Sequence, residues 1–197
     1  MNRESMIVRR KSQLALAAAW FVLALLAAFA ADATTIARMS LAQMAQAAPL
    51  IVRARCAGNS VAFDAGEIWT FTSFQVEETW RGEASSQIVV RLLGGTMRNI
   101  TSHVSGVPRF RPGEDVVLFL EPTARGDFSV LSWEQGTFRI SSDAAGVQAY
   151  VTQDTASFAT FDPATRRFQA TGIRHMPLES FHAQVAAAIQ STGSPRP

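Results

Sequence analysis

Hydrophobic and polar positions keep a strand-like pattern over the longest distance between Ile68 and Gly82, IWTFTSFQVEETWRG. Trp69 and Phe71 are apolar on odd positions, whereas Phe74, Val76 and Trp80 are apolar on even ones. Successive side chains of a strand point to opposite faces, so the buried face changes between Phe71 and Phe74. A bulge near Thr72–Ser73 is expected there, the device by which one long strand serves two packed sheets of a small barrel. The alternative is a strand covered on both faces.

The same reading runs along the rest of the chain. Ser40 to Ala48 predicts a short helix with Ser40 as N-cap and Pro49 as its stop. Leu50 to Cys56 alternates and predicts the first strand, with Leu50, Val52, Ala54 and Cys56 on the core side. Ala57 to Glu67 reads as a loop, on the turn signals Gly58-Asn59 and Ala65-Gly66. Gln87 to Leu93, QIVVRLL, predicts a strand antiparallel to the long one. Asp115 to Glu121, DVVLFLE, is apolar without alternation from Val116 to Leu120, which predicts a central strand buried on both faces with a helix across one side. Phe128 to Trp133, Gly136 to Ser141 and Val147 to Thr152 predict further strands. Phe158 to Phe168 predicts a hairpin around Asp162-Pro163-Ala164-Thr165. A C-terminal helix is expected from Pro177, placed at its first position, with Leu178, Phe181, Val185, Ala188 and Ile189 as its apolar stripe. No repeat recurs at a fixed period.

The leader changes the picture of compartment. Arg3, Arg9, Arg10 and Lys11 precede an uncharged run from Leu14 to Ala31, and Ala31-Asp32-Ala33 offers a small-residue cleavage site. That plan predicts a secretory signal peptide over residues 1–33. An uncleaved inner-membrane anchor is the alternative, since the run is just long enough to span a bilayer. A single domain is expected over 34–191, followed by a disordered tail over 192–197. The chain has 18 basic and 16 acidic residues. The leader holds four of the basic and two of the acidic ones, so the remainder is balanced. That balance argues against nucleic acid, whose phosphates call for a basic patch. With one cysteine, Cys56, no internal disulfide forms and a core must hold the fold.

Candidate chemistry is thin. The nucleophile elbow, H-E-x-x-H, the phosphate-binding Gly-Lys-Ser/Thr loop and G-x-G-x-x-G are all absent. His103, His175 and His182 with one buried cysteine do not supply three or four converging zinc ligands, so neither a metal nor a cofactor is implied. Glu77 and Glu78 are neighbours on a strand, which should point them to opposite faces and prevent them from acting as a pair. The long connection from Gly94-Gly95 to Pro112 is the candidate site, because connections beyond about 12 residues are usually functional or disordered. Arg98, Asn99, His103, Arg109 and Arg111 are its candidate ligand or partner residues. The plain alternative is a solvated loop kept soluble by its arginines.

The segments PLIVRARCAG, IWTFTSFQVEETWRGE, QIVVRLLGG, FRPGEDVVLFLE and WEQGTFRI resemble a group of uncharacterised secreted bacterial proteins. In that group a threonine-rich strand leads to V-E-x-x-x-K/R-G, then a GG step, a GE-x-V-L-F-L strand and a QG-x-F strand. Here these fall at Val76 to Gly82, Gly94-Gly95, Gly113 to Leu120 and Gln135 to Phe138. The strand order is also similar to the netrin-like barrel of metalloproteinase inhibitors, an OB-fold variant. Those inhibitors set an N-terminal cysteine on the target's zinc and carry several disulfides; this chain has neither, so their mechanism does not carry over. The expected fold is mainly β, an OB-like barrel of five to six antiparallel strands with a short N-terminal helix and a C-terminal helix. The expected function is a secreted or periplasmic, non-enzymatic binding module of the cell envelope. Its partner would be a protein or small molecule, with membrane contact only if the leader stays uncleaved. A hydrolase using the 94–112 loop and a proteinase-inhibitor-like protein are the alternatives.

Overall fold

A computed structural model describes residues 38–153, 155, 160–162, 166–169 and 172–191. The expected leader, the tail and the 163–165 turn lie outside the described residues. Helix α1 (Leu41–Ala47) begins with a capping box: the Ser40 hydroxyl accepts from the Gln43 N–H, and the Gln43 side chain accepts from the Ser40 N–H. Strands β1 (Leu50–Asp64), β2 (Glu67–Arg81) and β3 (Gln87–Leu93) follow, then a small hairpin of β4 (Gly95–Met97) and β5 (Ile100–Ser102). Next come β6 (Asp115–Pro122) and β7 (Phe128–Val130), a 3-10 turn at Trp133–Gly136, β8 (Thr137–Ser142) and β9 (Ala149–Gln153). A second hairpin, β10 (Thr160–Asp162) and β11 (Arg167–Gln169), precedes β12 (Met176–Pro177) and helix α2 (Leu178–Gln190). Among the described residues no helix is long and apolar enough to cross a membrane.

The main sheet has eight strands in the order β1-β2-β3-β7-β6-β8-β9-β12. Strand β1 also pairs with β6, so β1, β2, β3, β7 and β6 form a closed circuit of pairings. The β3–β7 contact is parallel, Val90 opposite Phe128; the other main-sheet pairings are antiparallel. The strands beyond the expected five or six arise because β6 pairs with β8 as well as with β1 and β7, and β9 and β12 extend from there.

Strand β6 has both faces buried, as its unbroken apolar run requires. Val116, Leu118 and Leu120 join Val52, Cys56, Phe74 and Val90 in one hydrophobic cluster. Val117 and Phe119 point the other way, into a second cluster with Ile51, Phe138, Met44 of α1, and Phe181 and Val185 of α2. Phe181 and Val185, four apart, share the inner face of α2. The Phe138 and Phe181 rings lie 4.7 Å apart. Cys56 is 1 % exposed, and burial raises its thiol pKa.

Five expectations need correction. Ala57 to Glu67 is not a loop: β1 continues to Asp64, and the turn is the two-residue Ala65-Gly66 between Asp64 and Glu67, both in positive φ. The buried face of β2 does not switch at Thr72–Ser73. Ile68, Thr70, Thr72 and Phe74 are all buried, while Trp69 and Phe71 stay half-buried outside, beneath the Arg91 guanidinium at 4.2 and 5.6 Å. The register shifts instead leave Ala57 of β1 and Glu77 and Trp80 of β2 as the extra residues. Because of the irregularity at Glu77, both neighbouring carboxylates reach Arg53, Glu77 at 3.4 Å and Glu78 at 2.7 Å, rather than diverging to opposite faces. Pro177 is the N-cap of α2, not its first helical residue, and the strand from Phe128 ends at Val130 because Ser132 and Trp133 adopt positive φ.

Candidate functional site

The candidate site is built on polar residues of a strand face that is otherwise core. Thr70 and Thr72 occupy the buried parity of β2. Buried hydroxyls need partners. The Thr72 hydroxyl donates to Asn59 Oδ1 at 2.6 Å, and Asn59 Nδ2 donates to the Phe110 carbonyl at 2.9 Å. Thr70 Oγ1 donates to the Gly94 carbonyl at 2.7 Å. These bonds tie the β1–β2 ribbon to both ends of the 94–112 connection.

A cavity of about 330 Å³ lies among these groups. Asn59, Thr70 and Leu92 come from the long strands, Gly95, Thr96, Thr101 and Ser102 from the β4–β5 hairpin, and His103, Arg109 and Phe110 from the segment after it. Phe110 is buried and packs edge-on against Phe74, ring centres 5.0 Å apart. Arg109 Nη1 donates to Thr70 Oγ1 and the Gly94 carbonyl, each at 3.1 Å, and Nη2 donates to the Leu93 carbonyl at 3.2 Å. Partial burial holds the Arg109 pKa below its ordinary value, yet a guanidinium remains charged. Its backbone is pinned from behind: Arg139 Nη2 donates to the Arg109 carbonyl at 2.8 Å while Arg139 Nη1 pairs with Glu114 at 2.7 Å.

The Gly94-Gly95 step makes this closeness feasible. A Cβ on Gly94 would sit 2.6 Å from the Ser102 carbonyl oxygen and 2.7 Å from Arg109 Nη2, and one on Gly95 would sit 2.7 Å from Thr70 Oγ1. Both residues also have positive φ.

Of the residues singled out from sequence, His103 and Arg109 line the cavity. Arg98 and Asn99 form the exposed turn between β4 and β5, with Arg98 at φ 52°, and are not among the lining residues. Arg111 is exposed; its N–H donates to Glu114 at 3.0 Å. Asn59, Thr70 and Phe110 were not among the sequence candidates, and Gly94-Gly95 was named only as the opening of the connection. The legible signal was Thr70 and Thr72, polar on the parity of Phe74.

His103 is exposed at the cavity rim beside Ser102, and among the described residues no aspartate or glutamate lines the cavity. His175 stacks on Tyr150 at 3.9 Å and His182 on Trp80 at 4.4 Å, both away from the cavity. Among the described residues no group of three His, Cys, Asp or Glu could hold a metal ion. Glu78, the acceptor for Trp80 Nε1 and then for Arg53, is held below its usual pKa. The lining therefore offers donors, hydroxyls and an apolar floor. No protein-family model matches the chain, and no curated protein matches it.

Proposed function

We propose that the chain is an extracytoplasmic, non-enzymatic binding module on an OB-like barrel, with the Asn59–Thr70–Arg109 cavity as its ligand seat. The observation that carries this reading is a cavity of about 330 Å³ walled by hydrogen-bonding side chains and floored by Leu92 and Phe110. Small-ligand sites are concave, of about 300–1,000 Å³, and combine apolar walls with a few placed polar groups. The five-strand circuit supports the OB-like reading, a fold that binds ligands across a sheet face and its loops. The leader pattern and the resemblance to secreted bacterial proteins support export, which amino-terminal sequencing beginning near Thr34 or Ala31 would bear out.

The hydrolase alternative draws on one feature, the adjacency of Ser102 and His103 in the cavity lining. Among the described residues it lacks an orienting carboxylate beside His103, the third group such a triad needs. The inhibitor alternative loses the one cysteine, since Cys56 is buried and cannot reach a target's zinc.

The test is a thermal-shift screen of small molecules against the protein and against Thr101→Trp, which places an indole at the exposed cavity rim. Ligands that stabilise the parent and not the variant support the reading. Equal shifts in both would place binding elsewhere, and turnover of an activated ester that is abolished by His103→Ala would replace it with the hydrolase.

A further inference from the structure

We propose that this seat receives an anionic group, a carboxylate or a phosphate, on Arg109. The inference rests on the binding-module reading and adds the chemical class of the ligand.

Arg53, Arg55, Arg91, Arg125 and Arg139 each meet a carboxylate. Arg109 does not: its partners among the described residues are two carbonyls and one hydroxyl. Carbonyl dipoles satisfy N–H groups but carry no net negative charge, so a partly buried cation is left uncompensated. The guanidinium has five N–H donors, and its three bonds come from Nη1 and Nη2; Nε makes none among the described residues. An Nε–H beside a terminal N–H is one of the forks through which a guanidinium grips a carboxylate or phosphate.

The surroundings favour the same sign. From Gly94 to Pro112 the chain carries three arginines and His103 and no acidic residue. The lining also holds Thr96, Thr101 and Ser102, whose hydroxyls can donate to an anion's oxygens. Among the described residues no aspartate or glutamate lines the cavity.

The experiment is an amide NMR titration of the full-length protein at fixed pH and ionic strength. Its arms are inorganic phosphate, acetate, the neutral sugar N-acetylglucosamine and a chloride blank. The expected result is saturable movement of the Gly94, Gly95, Ser102, His103 and Phe110 amides with phosphate, acetate or both, the two arms separating the phosphate from the carboxylate source. Arg109→Gln should weaken that binding by roughly tenfold or more, the loss of a charge-assisted pair. Should that variant fail to fold, Thr101→Trp serves as a second, and it should suppress the same amide movements. If the sugar saturates those amides and neither anion does, the anion class is wrong while the binding module stands. If no probe moves them, both fall.

Discussion

Replacing Phe119 by alanine probes the double-sided strand on which the fold depends. Phe119 is fully buried on the face of β6 turned toward the helices. Its ring lies 5.3 Å from that of Phe138 and 6.5 Å from that of Phe181. Truncating a buried Phe costs about 3–5 kcal/mol, through lost transfer energy and the cavity left behind. Each lost aromatic pair adds about 0.5–1.5 kcal/mol beyond area burial, which puts this site at the upper end, about 4–5 kcal/mol. With about 2–4 °C per kcal/mol for a chain of this size, the melting temperature should fall by about 8–20 °C. A typical domain has about 5–15 kcal/mol in total, and the free Cys56 offers no disulfide to offset the loss. The assay is thermal unfolding followed by far-UV circular dichroism, with urea denaturation as a second axis. A drop under about 3 °C would mean that the helices do not close over β6, and the two-cluster description would fail.

The remaining predictions concern the loop, pH and the thiol. His103→Ala and Arg111→Ala, both at exposed side chains, should each change stability by less than about 0.5 kcal/mol, whereas Arg109→Ala, which removes three hydrogen bonds, should cost about 1–3 kcal/mol; urea midpoints decide between them. Hydrogen bonds from Arg125, then Arg91, hold Asp64 below its ordinary pKa of 3.8. A depressed carboxylate contributes stability that is complete above that value and is lost as pH falls through the lower folded one. The melting temperature should therefore fall on acidification below about pH 4, and Asp64→Asn should flatten that limb of the profile. Cys56 should label slowly with a thiol reagent until denaturant is added, because it is buried and its pKa is raised; fast native labelling would contradict its place in the core.

What could be read in advance followed from local periodicity. The run Val116 to Leu120 announced a strand buried on both faces, and the stripe Phe181, Val185 announced the helix that covers one of them. Cys56 fell on the core side because it shares parity with Val52 and Ala54. What periodicity did not reveal depended on partners distant in sequence. Trp69 and Phe71 needed no change of face, since Arg91 of the neighbouring strand covers them from outside. Gly58-Asn59 looked like a turn, yet Asn59 is a strand residue whose side chain is held by Thr72 and by the Phe110 carbonyl. The same long-range bonds divide the loop candidates: Arg109 is drawn in to Leu93, Gly94 and Thr70, while Arg98 and Asn99 are spent on a turn. No local signal in the 94–112 stretch distinguishes those fates, because the sorting acceptors lie on other strands or at the start of the loop.

The most direct test of the ligand seat is a crystal structure of the protein grown with the tighter-binding of the two anions. The expected result is ligand density in the cavity, bridged to the Nε side of the Arg109 guanidinium and to a hydroxyl of Thr96, Thr101 or Ser102. Density on the outer face around Trp69 and Arg91, with the cavity filled only by solvent, would contradict it.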